Sequence, residues 1–93
     1  MSVERIENIL NECVTVLRQR GEQYGDARRV HQAMGDLIGT QLQTDCSASD
    51  AALVMAQIKL ARLSQGIDDP AVLKDTYIDA INYIAIAWGC ERK

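Results

Sequence analysis

The stretch from Asp69 to Cys90 constrains the fold most, because it is almost wholly apolar and yet carries a stripe of polar side chains. Asp75, Asp79 and Tyr83 recur every fourth residue, so on an α-helix they lie on one face. Two carboxylates and a phenol on such a helix cost free energy unless other groups pair with them. The rest of the chain must therefore supply their partners.

Helical periodicity runs through the remaining sequence, and no strand pattern interrupts it. The third helical segment is apolar nearly all round, which is typical of a helix in the middle of a bundle or at an oligomer interface. Residues 1–93 are thus predicted to form a single all-α domain, a four-helix bundle with short connections. The predicted helices cover about 2–20, 27–41, 50–65 and 70–90, bounded by Ser2, Gly21, Asp26, the capping box 47–50, Gly66 and Asp69-Pro70.

Composition excludes several classes of protein. A net charge of -3 and a pI near 5.0 argue against binding to a nucleic-acid backbone. No apolar run is long enough to span a membrane, and the first residues lack a signal peptide's apolar stretch, so the expected location is the cytoplasm. Cys13, Cys46 and Cys90 have no metal-site spacing and are expected to be free thiols. His31 is predicted at the surface, and Trp88 in the core or an oligomer contact.

A short connection, residues 66–69, predicts that the third and fourth helices form an antiparallel hairpin. In that arrangement Lys59 and Arg62 lie at the level of Asp75 and Asp79. Two readings follow. The four charges form a buried ionic network that fixes the hairpin, or they form a pocket in which the two cations hold phosphate oxygens while the two carboxylates hold Mg²⁺.

Further candidates flank the turn between the first two helices. Tyr24 either fills a packing gap or stacks on a base, and Asp26 caps the second helix and is a candidate ligand-binding residue. Arg28 and Arg29 are either solvated or reach an anion. Tyr83 either takes part in binding or hydrogen-bonds Asp79 or Lys59.

The motifs together resemble a family of small phage and prophage proteins of uncharacterised function. The shared pattern is a Tyr-Gly-Asp turn at 24–26, a K-x-x-R helix at 59–62 and a D-x-x-x-D-x-x-x-Y helix at 75–83, so the resemblance covers about residues 20–88. The last helix is also similar to nucleotide-modification-associated domains of phages. More remotely, the chain is similar to all-α nucleoside triphosphate pyrophosphatases of the MazG-like and dUTPase-like kinds.

The remote resemblance implies an Mg²⁺ site on two neighbouring helices and assembly as dimers or tetramers. It places Asp79 at the Asp of the family's later E-x-x-D, where Thr76 stands at the first position and Asp75 would substitute from one residue earlier. On the third helix the family's E-x-x-E is missing, and Lys59 and Arg62 bring positive charge instead.

The resulting expectation is a nucleotide-binding protein, related to the pyrophosphohydrolases, that holds nucleotide phosphates in a mixed-charge pocket. Asp75 and Asp79 are the candidate catalytic and magnesium-binding residues, while Tyr24, Asp26, Lys59, Arg62 and Tyr83 are candidate ligand-binding residues. Expected partners are a nucleotide or nucleotide-derived molecule and further copies of the chain in a homodimer or homotetramer. The alternatives are a non-catalytic sponge for nucleotide signals and a helical protein-interaction module whose charges are structural.

Overall fold

The computed structural model describes residues 2–91, and this part of the chain folds into four packed helices. They are α1 (Val3–Tyr24), α2 (Ala27–Leu42), α3 (Ala48–Ser64) and α4 (Pro70–Cys90). No strand occurs between residues 2 and 91, so the prediction of an all-α fold with four helices and short connections is confirmed. None of these four helices combines the length and the apolar character that a membrane crossing requires.

Local hydrogen bonds fix where three of the helices begin. The Asp26 carboxylate accepts from a backbone N–H of the first turn of α2 at 3.1 Å. Ser47 and Asp50 form a capping box in which each side chain accepts from the other's backbone N–H. Asp69 caps α4, whose first residue is Pro70. All three caps agree with the prediction, although α3 begins two residues earlier than expected.

The first helix is longer than predicted. It was expected to end near Arg20 because Gly21 follows, but it continues to Tyr24. A glycine inside a helix costs only about 0.5–1 kcal/mol, which weakens the helix without ending it. The stop is Gly25, whose φ of 84° leaves the helical region and whose N–H donates to the carbonyl oxygen of Gly21. Ser2 occupies the predicted N-cap position but makes no side-chain hydrogen bond there.

Helices α3 and α4 form the most extensive helix pair, and α3 also packs against α2. Near one end of the pair, Ser49 Oγ lies 3.0 Å from the carbonyl oxygen of Ala87, and further along, Lys59 reaches Asp79. The start of α3 therefore lies beside the end of α4, which confirms the predicted antiparallel hairpin. Helix α1 packs mainly against α4 and only lightly against α2.

Small side chains make up most of the core. Alanine supplies most of the buried apolar residues, and many larger aliphatic side chains stay substantially exposed. Trp88 is largely exposed, so it is not a core residue of this chain, and its role in an oligomer contact stays a prediction. The buried apolar residues are Cys13, Ala48, Ala51, Ala52, Ala56, Ile78, Ala80, Ala87 and Cys90.

Two glycines of α2 allow the α2–α3 connector to lie directly against the helix. A Cβ at Gly35 would lie 2.5 Å from the carbonyl oxygen of Cys46 and 2.9 Å from that of Ser47. A Cβ at Gly39 would lie 2.7 Å from the carbonyl oxygen of Thr44. Both glycines therefore meet the backbone of the connector rather than another helix.

The three cysteines are free thiols that differ in accessibility. Cys13 and Cys90 are buried, whereas Cys46 is half-buried. Burial, with a smaller contribution from the charge of Glu12, raises the pKa of the Cys13 thiol, so that less reactive thiolate forms.

We expect iodoacetamide at neutral pH to label Cys46 first in the folded chain and Cys13 much more slowly. In urea all three thiols are expected to react at similar rates, because burial no longer protects any of them. Peptide mass spectrometry over a time course measures the three rates. Equal rates for Cys46 and Cys13 in the folded chain would contradict the described burial.

Candidate functional site

A groove lies where the end of α1, the start of α2 and the last turns of α4 meet. Its volume is about 1090 Å³, enough for a small molecule, since ligand pockets are commonly about 300–1,000 Å³. Apolar side chains from the same three helices, among them Leu17, Val30 and Ile86, form part of its wall. The polar and aromatic side chains that line it include Arg20, Tyr24, Asp26, Arg28, His31, Asp79 and Tyr83.

Asp79 is the carboxylate at which three helices meet. Its Oδ1 lies 3.1 Å from Nη1 of Arg20 in α1, and its Oδ2 lies 3.1 Å from Nζ of Lys59 in α3. The side chains of Asp79 and Lys59 are only 14% and 16% exposed, whereas that of Arg20 is 50% exposed. The predicted Lys59–Asp79 contact is therefore confirmed as a largely buried ion pair, and Arg20 adds an accessible guanidinium on the groove side.

The other two members of the predicted charge set lie apart. Asp75 and Arg62 are exposed, and neither forms an ion pair with any part of the chain from residue 2 to 91. Neither lines the groove. Arg62 lies three residues from Lys59, and Asp75 lies four residues from Asp79, so each is rotated by about 40–60° around its helix axis relative to the residue in the ion pair. At the edge of a hairpin this rotation turns a side chain from the helix seam towards solvent. The prediction of two cations facing two carboxylates is therefore wrong for Asp75 and Arg62.

The Tyr-Gly-Asp turn forms one side of the groove. Tyr24 is the last residue of α1 and is largely exposed, so the packing alternative is wrong within this chain, and the ring is accessible to a ligand. The Asp26 carboxylate is engaged in capping α2. Arg28 Nη2 donates to the carbonyl oxygen of Cys90 at 3.1 Å, which ties the start of α2 to the end of α4.

His31 lies in the groove wall, and the prediction that it is a surface residue is wrong, because it is buried. Its Nδ1 lies 2.8 Å from the carbonyl oxygen of Ala27, and since a carbonyl only accepts, Nδ1 carries the proton. In the neutral ring Nε2 is then an acceptor, and it is buried without a hydrogen-bond partner among residues 2–91. Tyr83 packs edge-on against the ring, with centroids 5.8 Å apart, and makes no hydrogen bond to Asp79 or Lys59 in the described chain.

The donor set of this chain does not fit the magnesium ion expected at Asp75 and Asp79. Both oxygens of Asp79 already contact cations, and Asp75 is exposed one turn away. Over residues 2–91, no three His, Cys, Asp or Glu side chains come together as a metal site requires. A magnesium cofactor and catalytic roles for the two carboxylates stay untested predictions.

The sequence matches the family described as a domain of unknown function, DUF6378, over residues 8–91. The chain belongs to this family. The DUF6378 match includes every residue that lines the groove and all three ion pairs of the described chain. No curated protein and no solved structure matches the chain. The resemblances to phage proteins and to pyrophosphatases are not tested by these comparisons and stay predictions.

Two groove residues of this DUF6378 chain were not predicted correctly from the sequence: Arg20 was not a candidate, and His31 was expected at the surface. In each case the sequence contains a spacing that indicates the observed position. Arg20 follows the buried Cys13 by seven residues, so the two lie on the face of α1 that turns towards α4. His31 stands four residues before Gly35, which packs against the connector, so the two share the inward face of α2. On α2, the face that carries the small residues is more buried than the face that carries the large apolar residues.

Proposed function

We propose that the chain binds a nucleotide, or another small molecule with phosphate groups, in the groove between α1, α2 and α4. The observation that carries this proposal is the presence of two guanidinium groups and an exposed tyrosine ring in one groove of about 1090 Å³. Arginine binds phosphate oxygens through paired hydrogen bonds, and an aromatic ring offers a stacking surface to a base.

Both guanidinium groups keep donors for a ligand. Arg28 uses Nη2 for the carbonyl oxygen of Cys90, and Arg20 uses Nη1 for Asp79, out of five N–H donors on each side chain. A phosphate that drew Arg20 away would leave Asp79 paired with Lys59. Binding would therefore not leave the largely buried carboxylate of Asp79 without a cation, a loss that would reduce the affinity for the ligand.

His31 adds an argument for a ligand with hydrogen-bond donors. A buried acceptor without a partner costs about 1–3 kcal/mol, so native proteins seldom keep one without a reason. A sugar hydroxyl or a base amino group that reached Nε2 after a movement of the Tyr83 ring would satisfy it. Nucleotides carry such donors together with phosphate oxygens.

The proposal is binding rather than hydrolysis. The Asp79 carboxylate is held between two cations, so in this arrangement it is engaged as a charge partner rather than as a base or a metal ligand. Hydrolysis of nucleoside triphosphates is the alternative, and it would require a rearrangement that releases Asp79.

Isothermal titration calorimetry against a panel of ribonucleoside and deoxyribonucleoside triphosphates, with and without Mg²⁺, tests the proposal. We expect Arg20→Gln and Arg28→Gln each to weaken binding by about 10–100-fold, because each removes a charge-assisted hydrogen bond. Arg29→Gln is the matched control, since Arg29 is exposed, adjacent in sequence and outside the groove lining. Its affinity should stay within about twofold of the original chain.

Three outcomes decide between the alternatives. If no nucleotide binds the chain or raises its melting temperature, the proposal is overturned. Equal weakening by Arg29→Gln and Arg28→Gln would indicate non-specific attraction of anions rather than a site. Pyrophosphate release that needs Mg²⁺ and disappears in Asp79→Asn would replace binding alone with hydrolysis.

A further inference from the structure

The chain exposes more surface than a compact protein of its mass. Its accessible surface is 7098 Å², whereas a compact chain of 10.3 kDa is expected to expose about 5400 Å². Its radius of gyration is 14.3 Å, compared with about 12 Å for a compact domain of this length. The excess of roughly 1700 Å² exceeds the approximately 800 Å² that each partner buries in a standard protein–protein interface.

Part of this excess is a continuous apolar stripe along α1. Val3, Ile6, Leu10, Val14 and Leu17 lie on one face of the helix at successive separations of three, four, four and three residues. Their exposed fractions range from 36% to 67%. No residue from 2 to 11 is buried, and the ion pairs and the hydrogen bond that join α1 to α4 come from Glu12, Cys13 and Arg20. The stripe matches the seam of a two-helix contact.

We propose that a second copy of this chain docks on the α1 stripe, with the two α1 helices antiparallel. The separations read the same in both directions from Leu10, so a twofold axis at Leu10 pairs the stripe with itself. Leu10 then faces its own copy, Ile6 faces Val14, and Val3 faces Leu17. Such an isologous contact closes after two chains. This inference does not rest on the proposed ligand, although Leu17 belongs to both the stripe and the groove wall.

Charge favours the antiparallel direction. By helical geometry, Glu4, Glu7 and Arg18 lie on the same flank of the stripe. The opposite flank carries Arg20, which contacts α4 through Asp79, so the flank with the two glutamates turns away from α4. With the helices antiparallel, Arg18 of each copy lies beside Glu4 of the other. In a parallel pair, the flank with the two glutamates in one copy would instead lie against the Arg20 flank of the other copy.

Sedimentation equilibrium with a matched pair of variants tests the docking surface. The original chain is expected to sediment at twice its 10.3 kDa mass. Leu10→Glu should raise the dissociation constant by at least about 100-fold, because two carboxylates would meet at the twofold axis in an apolar contact. Leu37→Glu is the control, since Leu37 is 72% exposed on α2, away from the stripe, and the variant should remain dimeric.

Disulfide trapping in a Cys46→Ser background tests the direction without relying on a destabilised variant. A mixture of Val3→Cys and Leu17→Cys chains should form a mixed dimer on oxidation. Val3→Cys alone should not, because the two copies of residue 3 would be about 21 Å apart along the helix axis. A disulfide requires Cα atoms roughly 4–7 Å apart.

A chain that stays monomeric at high concentration would overturn the proposal. Dissociation by Leu37→Glu but not by Leu10→Glu would move the interface to another face, which also overturns it. Efficient trapping of Val3→Cys with itself would overturn the antiparallel direction. A tetramer that Leu10→Glu reduces to dimers would support the stripe as one of two interfaces.

Discussion

Asp79→Asn is expected to lower the free energy of unfolding by about 3 kcal/mol, because Lys59 would keep its charge in a largely buried position without a carboxylate. The amide preserves the shape and one acceptor oxygen, so the loss reports on charge rather than on packing. Arg20 contributes little to this figure, since its guanidinium is half exposed and screened by water. Urea denaturation followed by circular dichroism measures the change.

The matched control is Glu12→Gln. Glu12 pairs with Lys74 at 2.8 Å, but both side chains are exposed, so the loss should be under about 1 kcal/mol. All variants are compared at one chain concentration, because the proposed self-association would make the free energy of unfolding depend on concentration. An Asp79→Asn chain as stable as the original, or more stable, would contradict a structural ion pair. It would favour a catalytic or ligand-binding carboxylate instead, since functional sites often reduce stability.

Gly35→Ala has the second large expected effect, a net loss of about 2 kcal/mol in the free energy of unfolding. The new methyl group would meet the carbonyl oxygens of Cys46 and Ser47, and overpacking of this kind costs about 1–3 kcal/mol. Both atoms belong to the backbone, so no side-chain rotation relieves the contact, and the connector must move. The better helix propensity of alanine offsets only part of the loss.

Gly21→Ala separates the packing effect from helix propensity. Gly21 lies inside α1, with no atom within 4 Å of the position that a Cβ would occupy. Alanine there should raise the free energy of unfolding by about 0.5–1 kcal/mol. The two glycine substitutions are thus expected to change the free energy of unfolding in opposite directions. A stabilising Gly35→Ala would show that the connector does not lie against α2.

Helix starts were predictable from the sequence because capping is local. Asp26, Ser47 and Asp69 each bond to N–H groups within three residues, so the chain positions that form each cap are close in sequence. The predicted end of α1 was wrong because two glycines near this end are both possible stop positions for the helix. Gly21 and Gly25 are the same residue type, and only the backbone conformation of the second shows which one stops the helix.

The candidate site was predictable only where a short connection sets the register. The brief turn between α3 and α4 limits how the two helices align, so the Lys59–Asp79 contact followed from the sequence. The contribution of Arg20 did not, because it depends on how α1 crosses α4, and no short connection joins those helices. The burial of His31 depends equally on packing against distant parts of the chain.

The alanine-rich core has a consequence for how the chain can respond to substitution. A methyl side chain has no rotamers, so neighbouring side chains of the α3–α4 seam such as Ala52, Ala56 and Ala80 cannot rearrange to absorb a larger residue. Whole helices must shift instead. Lys59 and Asp79 lie on those helices. A substitution that enlarges a side chain in the seam would therefore also change the distance between Lys59 and Asp79, even where the new side chain contacts neither residue.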